Sequence, residues 1–185
     1  MDSLNGRGIL MTLKCKFSPL GKPDVDPYAP GTGVYENRPA NNTMTNVSQP
    51  VSRGVYELMC CSGGGGEWCY IGCNQGAAGS FFKGEVYFDD DKTLEIQVGG
   101  GTGGYSHNGY DTYIAGCILC PGGRSANASC PGSTAAPTLM DGMQIVSAEI
   151  NAGGVCGGGS LFPGTDYGAK KAAGYMKLTY LRIEP

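Results

Sequence analysis

Thr93-Leu94-Glu95-Ile96-Gln97-Val98 alternates apolar and polar residues and runs straight into Gly99-Gly100-Gly101-Thr102-Gly103-Gly104. The alternation has the period of two that sends successive side chains to opposite faces of a β-strand, so Leu94, Ile96 and Val98 are expected on a buried face. The glycine run is the more unusual half. Glycine loses more backbone entropy on ordering than any other residue, so a chain rich in it needs either positive φ or backbone packed against backbone. Here glycine is 33 of 185 residues, and 28 of these lie between Gly54 and Gly174.

The pattern of strand and glycine cluster recurs on both sides. Further clusters are Gly63-Gly64-Gly65-Gly66 and Gly153-Gly154-Val155-Cys156-Gly157-Gly158-Gly159. Further strands are expected at Val55–Cys61, Trp68–Ile71, Gly84–Phe88, Thr112–Cys120, Met143–Ile150 and Tyr175–Ile183. In the last of these, Met176, Leu178 and Tyr180 oppose Tyr175, Lys177 and Thr179. Asp89-Asp90-Asp91, between two strands, reads as a solvated hairpin turn. Only Ala169–Ala173 offers a short helix, and glycines bracket it. The fold class is therefore all-β, a β-sandwich-like scaffold.

Within the clusters glycine often returns every third residue: Gly63, Gly66 and Gly72, then Gly76 and Gly79, Gly101 and Gly104, Gly154 and Gly157. A polyproline II helix has three residues per turn, so this spacing lines one face with glycine and lets helices pack backbone to backbone. The competing reading is glycine-rich loops between strands. Against loops, Trp68, Cys69, Tyr70 and Ile71 sit among the glycines, and mobile loops would leave that apolar surface in water. The two readings, packed polyglycine II helices and glycine-rich loops, are separated by the structure alone.

Residues 1–53 differ in texture from 54–185. They hold one strand candidate, Ile9–Phe17, followed by Ser18–Arg53, which is rich in Pro, Asn, Thr and Gly and poor in large aliphatics. A stretch of that length without periodicity is too long for an ordinary loop. It is read as an extended N-terminal attachment arm, with a glycine-rich β domain over 54–185.

Composition excludes several function classes. Glycine and proline together are 44 of 185 residues, near the level of disordered chains, but the apolar fraction is 41% and falls in alternating runs, so an ordered protein is expected. Net charge is −3 and the pI about 5.1, with Lys170-Lys171 the one adjacent basic pair, so no nucleic-acid partner is expected. No apolar run approaches the roughly 18 residues of a membrane span, and no membrane insertion is expected. Met1–Leu13 carries no apolar core with a small-residue cleavage site, which predicts synthesis in a cytoplasm. Nine cysteines, an odd number, fit a secreted disulfide framework poorly without such a signal. Cytoplasmic assembly followed by life outside the cell reconciles the two, and a virus particle released by lysis has that history.

The motifs that could carry chemistry are weak. Gly99–Gly104 follows a strand but lacks the Lys-Ser or Lys-Thr pair and the helix of a phosphate loop. No cofactor is expected. Cys117-Ile118-Leu119-Cys120 has zinc-like spacing and Cys69 with Cys73 could supply a second half. Disulfides and small buried thiols are the alternatives, and Cys60, Cys61, Cys69, Cys73, Cys117, Cys120, Cys130 and Cys156 stay open as disulfide or metal candidates, with no metal site assigned. His107 is the one histidine, and Glu67, Glu85, Asp111, Asp141 and Glu149 form no recognisable pair of catalytic carboxylates, so no enzyme is expected. The loop Gly103–Asp111 reads instead as a contact surface or as a plain turn with partly exposed tyrosines. Tyr105, His107, Asn108 and Tyr110 combine aromatic area with hydrogen-bonding groups at low entropic cost, the mixture enriched in recognition loops.

From Gly54 onward the order of features resembles the glycine-rich domain of bacteriophage tail-fibre and adhesin proteins, and more distantly the extracellular glycine-rich region of anaplastic lymphoma kinase-type receptors. The resemblance is carried by Gly54-Val55-Tyr56-Glu57-Leu58 leading into Gly63–Gly66, by Gly76-Ala77-Ala78-Gly79, and by Leu94–Gly101. Asp111-Thr112-Tyr113-Ile114, Pro121-Gly122-Gly123 and Gly174–Thr179 follow in order. It covers about two thirds of the chain; the nine cysteines depart from it, and residues 1–53 match none of it. It implies a β scaffold with a layer of polyglycine II helices and a place on the virion surface. The expected function is then a non-enzymatic tail-fibre or tail-tip adhesin, attached to other virion proteins through the arm, oligomeric, and binding a host surface glycan or protein through Tyr105–Tyr110 and the turns after Cys156. The alternative is a purely structural virion or filament subunit, a decoration or assembly protein without receptor binding.

Overall fold

The computed structural model describes residues 26–67, 76–102, 107–126, 133–151, 168 and 171–185. Among these there are ten strands and no helix. In chain order they are β1 Gly33–Asn37, β2 Met44–Val51, β3 Gly54–Cys61, β4 Phe81–Phe88, β5 Lys92–Gly99, β6 Thr112–Ile114, β7 Ile118–Cys120, β8 Thr138–Leu139, β9 Gln144–Asn151 and β10 Tyr175–Arg182. They form two five-stranded sheets, ordered β1-β10-β3-β4-β9 and β2-β5-β6-β7-β8, in which every pairing is antiparallel. The all-β sandwich is thus what the chain forms.

The two sheets meet through the faces that strand alternation predicts. Leu94, Ile96 and Val98 of β5 are buried, as are Met176, Leu178 and Tyr180 of β10. With Tyr56, Leu58 and Cys60 of β3, Phe82, Val86 and Phe88 of β4, and Ile114, Ile118 and Cys120 of the second sheet, they make one continuous core. Shortening Ile96 by one methylene leaves a small gap there, so Ile96→Val is expected to cost about 1 kcal/mol in denaturant unfolding, with an unchanged slope.

At one end of this core three tyrosines interlock. The ring of Tyr180 meets Tyr56 edge-on at 5.3 Å and Tyr28 at 5.4 Å. Their hydroxyls find partners, Tyr56 donating to Ser52 O at 2.7 Å and Tyr180 to the carboxylate of Asp26 at 2.5 Å. Buried phenols need such partners, and this one ties Asp26 to β10.

Three expectations are corrected. The reading of Ser18–Arg53 as an extended arm does not hold for its later part, because β1 pairs with β10 and β2 pairs with β5 over all eight of its residues. Thr112–Cys120 is a hairpin and not one strand: Ala115-Gly116-Cys117 turns the chain, with Gly116 at φ +71°, a conformation that favours glycine. Of the expected helix Ala169–Ala173, the described part carries Lys171 at φ +61°, which no α-helix accommodates. Asp89–Asp91 does form the turn between β4 and β5. The strand candidates Ile9–Phe17 and Trp68–Ile71 lie outside the described residues.

Candidate binding surface on a layer of glycine helices

Beyond the strand ends the glycine clusters pack on one another, and their hydrogen bonds reveal how. Residues 62–67 run through the middle. Ser62 N–H donates to Ser80 O (3.1 Å) and Gly65 N–H to Ala77 O (2.9 Å). Gly63 N–H donates to Tyr110 O (3.1 Å) and Gly66 N–H to His107 O (2.9 Å), while Gly64 N–H turns a third way, to Ala172 O (2.9 Å). The carbonyls repeat the rule. Those of Gly63 and Gly66 accept from Gly123 and Ala126, that of Gly64 from Thr102, and that of Gly65 from Lys171.

Residues three apart therefore address the same neighbour, and consecutive residues address different ones. A β-strand would repeat every two residues and reach two neighbours in one plane. The period of three, with each of these bonds leaving the segment, is that of a polyproline II-type helix. Five segments, within 76–80, 99–102, 107–110, 121–126 and 171–174, surround the central one, which makes the layer a packed bundle of polyglycine II helices.

Glycine is needed there for contact and not for positive φ. Of the described glycines only Gly31, Gly54, Gly116 and Gly168 have positive φ. A Cβ on Gly63 would lie 2.0 Å from Gly100 O, one on Gly109 2.0 Å from Gly63 O, and one on Gly123 2.2 Å from Ala77 O. These are backbone atoms, which cannot rotate out of the way.

One helix of this layer carries the predicted contact loop. His107 and Asn108 are exposed and Tyr110 is half-buried. Their backbone is pinned at both ends to the central helix, and at Gly109 N–H, which donates to Gly123 O at 2.8 Å. The Asn108 Oδ1 accepts from Ser125 N–H (2.8 Å), and Asp111 Oδ1 from Gly122 N–H (2.7 Å). Around Asn108, Tyr110 and Asp111 opens a cleft of about 680 Å³, whose rim includes Gln97 and Arg124. Gln97 is steadied by a bond from its amide to Asp111 O at 3.1 Å. Tyr105 and the turns after Cys156 lie outside the described residues.

Sequence reading missed Gln97, Asp111 and Arg124 as members of this surface. Asp111 ended the quoted loop and could have been included. Gln97 projects from the polar face of β5, and Arg124 follows Gly122-Gly123, so only the packing of distant segments brings them here.

The cysteines do not build a metal centre in the described part. Cys60, Cys61, Cys117 and Cys120 are buried free thiols. Cys120 Sγ approaches Cys60 O at 3.6 Å across the two sheets, whereas Cys117 lies in the β6–β7 turn. Burial pushes the Cys60 thiol well up, with the neighbouring Cys120 adding to it, and burial likewise raises Cys61 and Cys117. Thiols held protonated in this way are poor nucleophiles and poor ligands. Among the described residues no group of three or more His, Cys, Asp or Glu is placed to hold a metal. Cys15, Cys69, Cys73, Cys130 and Cys156 lie outside them.

Of the carboxylates weighed for catalysis, Glu67 pairs with Lys171 at 2.6 Å and Glu85 with Arg182 at 2.7 Å. Asp111 serves the backbone as described. Comparison with known proteins adds no constraint: no family model, curated protein or solved structure matches the chain.

Proposed function

We propose that this chain is a non-enzymatic surface protein of a bacteriophage particle, of tail-fibre or tail-tip type, which binds a host surface glycan in the cleft around Tyr110. The observation that carries the reading is that His107, Asn108 and Tyr110 belong to a helix of the glycine layer, with its backbone bonded at His107, Gly109 and Tyr110. A loop held so firmly loses little entropy when it binds, which raises affinity for a given set of contacts. The rim carries the kinds of group that bind sugars, a phenol together with amide, carboxylate and guanidinium groups. Other virion proteins would be met through residues at the N-terminus.

Glycan-array binding of purified protein tests this. Tyr110→Ala and Arg124→Ala are each expected to lower apparent affinity at least about fivefold while the far-ultraviolet spectrum is unchanged, because an aromatic or guanidinium contact at a binding site is worth roughly 1–3 kcal/mol. Equal binding by both variants would remove the cleft as the receptor site. The second reading, a purely structural virion or filament subunit, is favoured by a different observation: β9 ends the first sheet, is exposed along its length and pairs with β4 alone among the described strands.

A further inference from the structure

Cys60 and Cys120 stand on different sheets, Cys60 on β3 of the first and Cys120 on β7 of the second. Packed sheets usually lie about 10 Å apart, and cysteines whose Cα atoms are more than about 7 Å apart cannot be bridged. At this end of the sandwich, however, the sheets pinch together. Pro121 O, one residue past Cys120, accepts from Ser80 N–H at 3.2 Å and from Ser80 Oγ at 3.1 Å. It also accepts from Ser62 Oγ, two residues past Cys60, at 2.5 Å. Main chain of the second sheet is thus one hydrogen bond away from the chain just beyond β3 and just before β4. Beside that pinch Cys120 Sγ reaches Cys60 O at 3.6 Å, and the two side chains are in hydrogen-bonding contact.

The other described thiols are turned elsewhere. Cys60 lies opposite Phe82 and Met176, which are core residues, so it faces the second sheet. Cys61, one position on, lies opposite Phe81 and Tyr175 and joins them in a separate cluster on the other face. Cys117 sits in the β6–β7 turn, where a Cβ on Gly142 would come 2.9 Å from its sulfur. Among the described cysteines, only Cys60 and Cys120 face each other across the sheets.

We infer that Cys60 and Cys120 are the two halves of a disulfide that clamps the sheets together, formed while the chain folds by exchange with a low-molecular-weight disulfide such as oxidised glutathione. The structure shows the reduced pair. The thiolate of one cysteine attacks a sulfur of oxidised glutathione and releases one glutathione. The thiolate of the other then attacks the protein-bound sulfur and releases the second. Two protein thiols give up two electrons and two protons, and one oxidised glutathione becomes two reduced ones.

The exchange belongs to folding, because neither side chain exposes any surface once the sheets have closed. Burial also holds the Cys60 thiol protonated there. The same burial shields the finished bond from reductants. The loop it closes is about 60 residues long and includes β4, β5 and β6, a length at which a crosslink removes much of the unfolded chain's freedom. The inference stands whether or not the cleft binds a glycan.

Refolding the full chain from urea in a glutathione buffer tests it. After free thiols are blocked and the protein is digested without reduction, mass spectrometry should find the Cys60 and Cys120 peptides joined. Cys61→Ala should keep that link and Cys60→Ala should lose it. The oxidised protein should unfold at a higher urea midpoint than protein refolded under reductant, and Cys120→Ala should abolish the difference. Dithiothreitol should cut the bond at least about tenfold more slowly in the folded protein than in urea, since exchange requires access to the sulfur. A refolded wild type in which Cys60 and Cys120 are unlinked, or are paired with other cysteines, would overturn the inference, as would equal midpoints or equal rates of reduction.

Discussion

Gly63→Ala is expected to destabilise the protein by more than about 4 kcal/mol, a large share of the roughly 5–15 kcal/mol that holds an ordinary domain folded. The added methyl would stand 2.0 Å from Gly100 O, 2.4 Å from Gly100 C and 2.8 Å from Gly101 N. Overpacking in an ordinary core costs about 1–3 kcal/mol because side chains can shift rotamer. Here the obstruction is main chain, and moving it strains the Gly100 N–H bond to Thr43 O and the Tyr110 N–H bond to Gly100 O. Propensity works the other way, since alanine loses less backbone entropy than glycine. Gly33→Ala isolates that term: nothing lies within 4 Å of its added methyl and its φ is not positive, so its effect should stay within about 0.5 kcal/mol. Urea unfolding of both variants against the wild type measures the contrast. Similar midpoints for the two would mean that the glycine layer yields like a loop.

That contrast also marks what was legible beforehand. Alternation identified β3, β5 and β10 because each lies between two neighbours and buries one face fully, so its inward positions had to be large and apolar. The spacing of three among glycines pointed to polyglycine II packing, since close backbone approach leaves a trace in sequence: positions such as Gly63, Gly109 and Gly123, where a Cβ would meet main chain, lack a side chain. β2 was hidden for the opposite reason. It is an edge strand over a partly wet face, where Thr45, Asn46, Ser48, Gln49 and even Pro50 are admissible, and only Val47 and Val51 reach the core.

The binding surface was half legible on the same grounds. Asn108 and Tyr110 stood out because a glycine-flanked loop with aromatic and amide side chains is locally distinctive. Arg124 and Gln97 reach the same cleft from segments distant in sequence, and no local pattern records which glycine helix will lie beside which. The hydrogen-bond register between 62–67 and its five neighbours decides that, and it is a property of the assembled layer.

Stability should fall steeply in mild alkali. Cys60 and Cys61 end β3 where the strand passes into the central glycine helix, a place with room for small side chains only: Cys60 faces Cys120, and a Cβ on Gly168 would already lie 2.8 Å from Cys61 Sγ. Burial raises both thiols well above their ordinary range. In the unfolded chain they ionise near pH 8.5. Above that pH the unfolded state has lost two protons that the folded state keeps, so the stability these groups contribute is complete below about pH 8.5 and declines as pH rises. A thiol that stays protonated in the folded protein removes up to about 1.4 kcal/mol of stability per pH unit above its unfolded value, so the two together make the decline steep. Burial also raises Tyr56, which adds to the decline above about pH 10. Urea midpoints at pH 7.5, 9.5 and 10.5 under reductant measure the slope, and Cys60→Ala/Cys61→Ala should make it shallower below pH 10 while leaving the Cys117 and tyrosine parts. A wild-type midpoint that does not move between pH 8.5 and 10.5 under reductant would mean that these thiols are not held as buried, protonated groups, and the packing at the junction of strand and glycine helix would have to be redrawn.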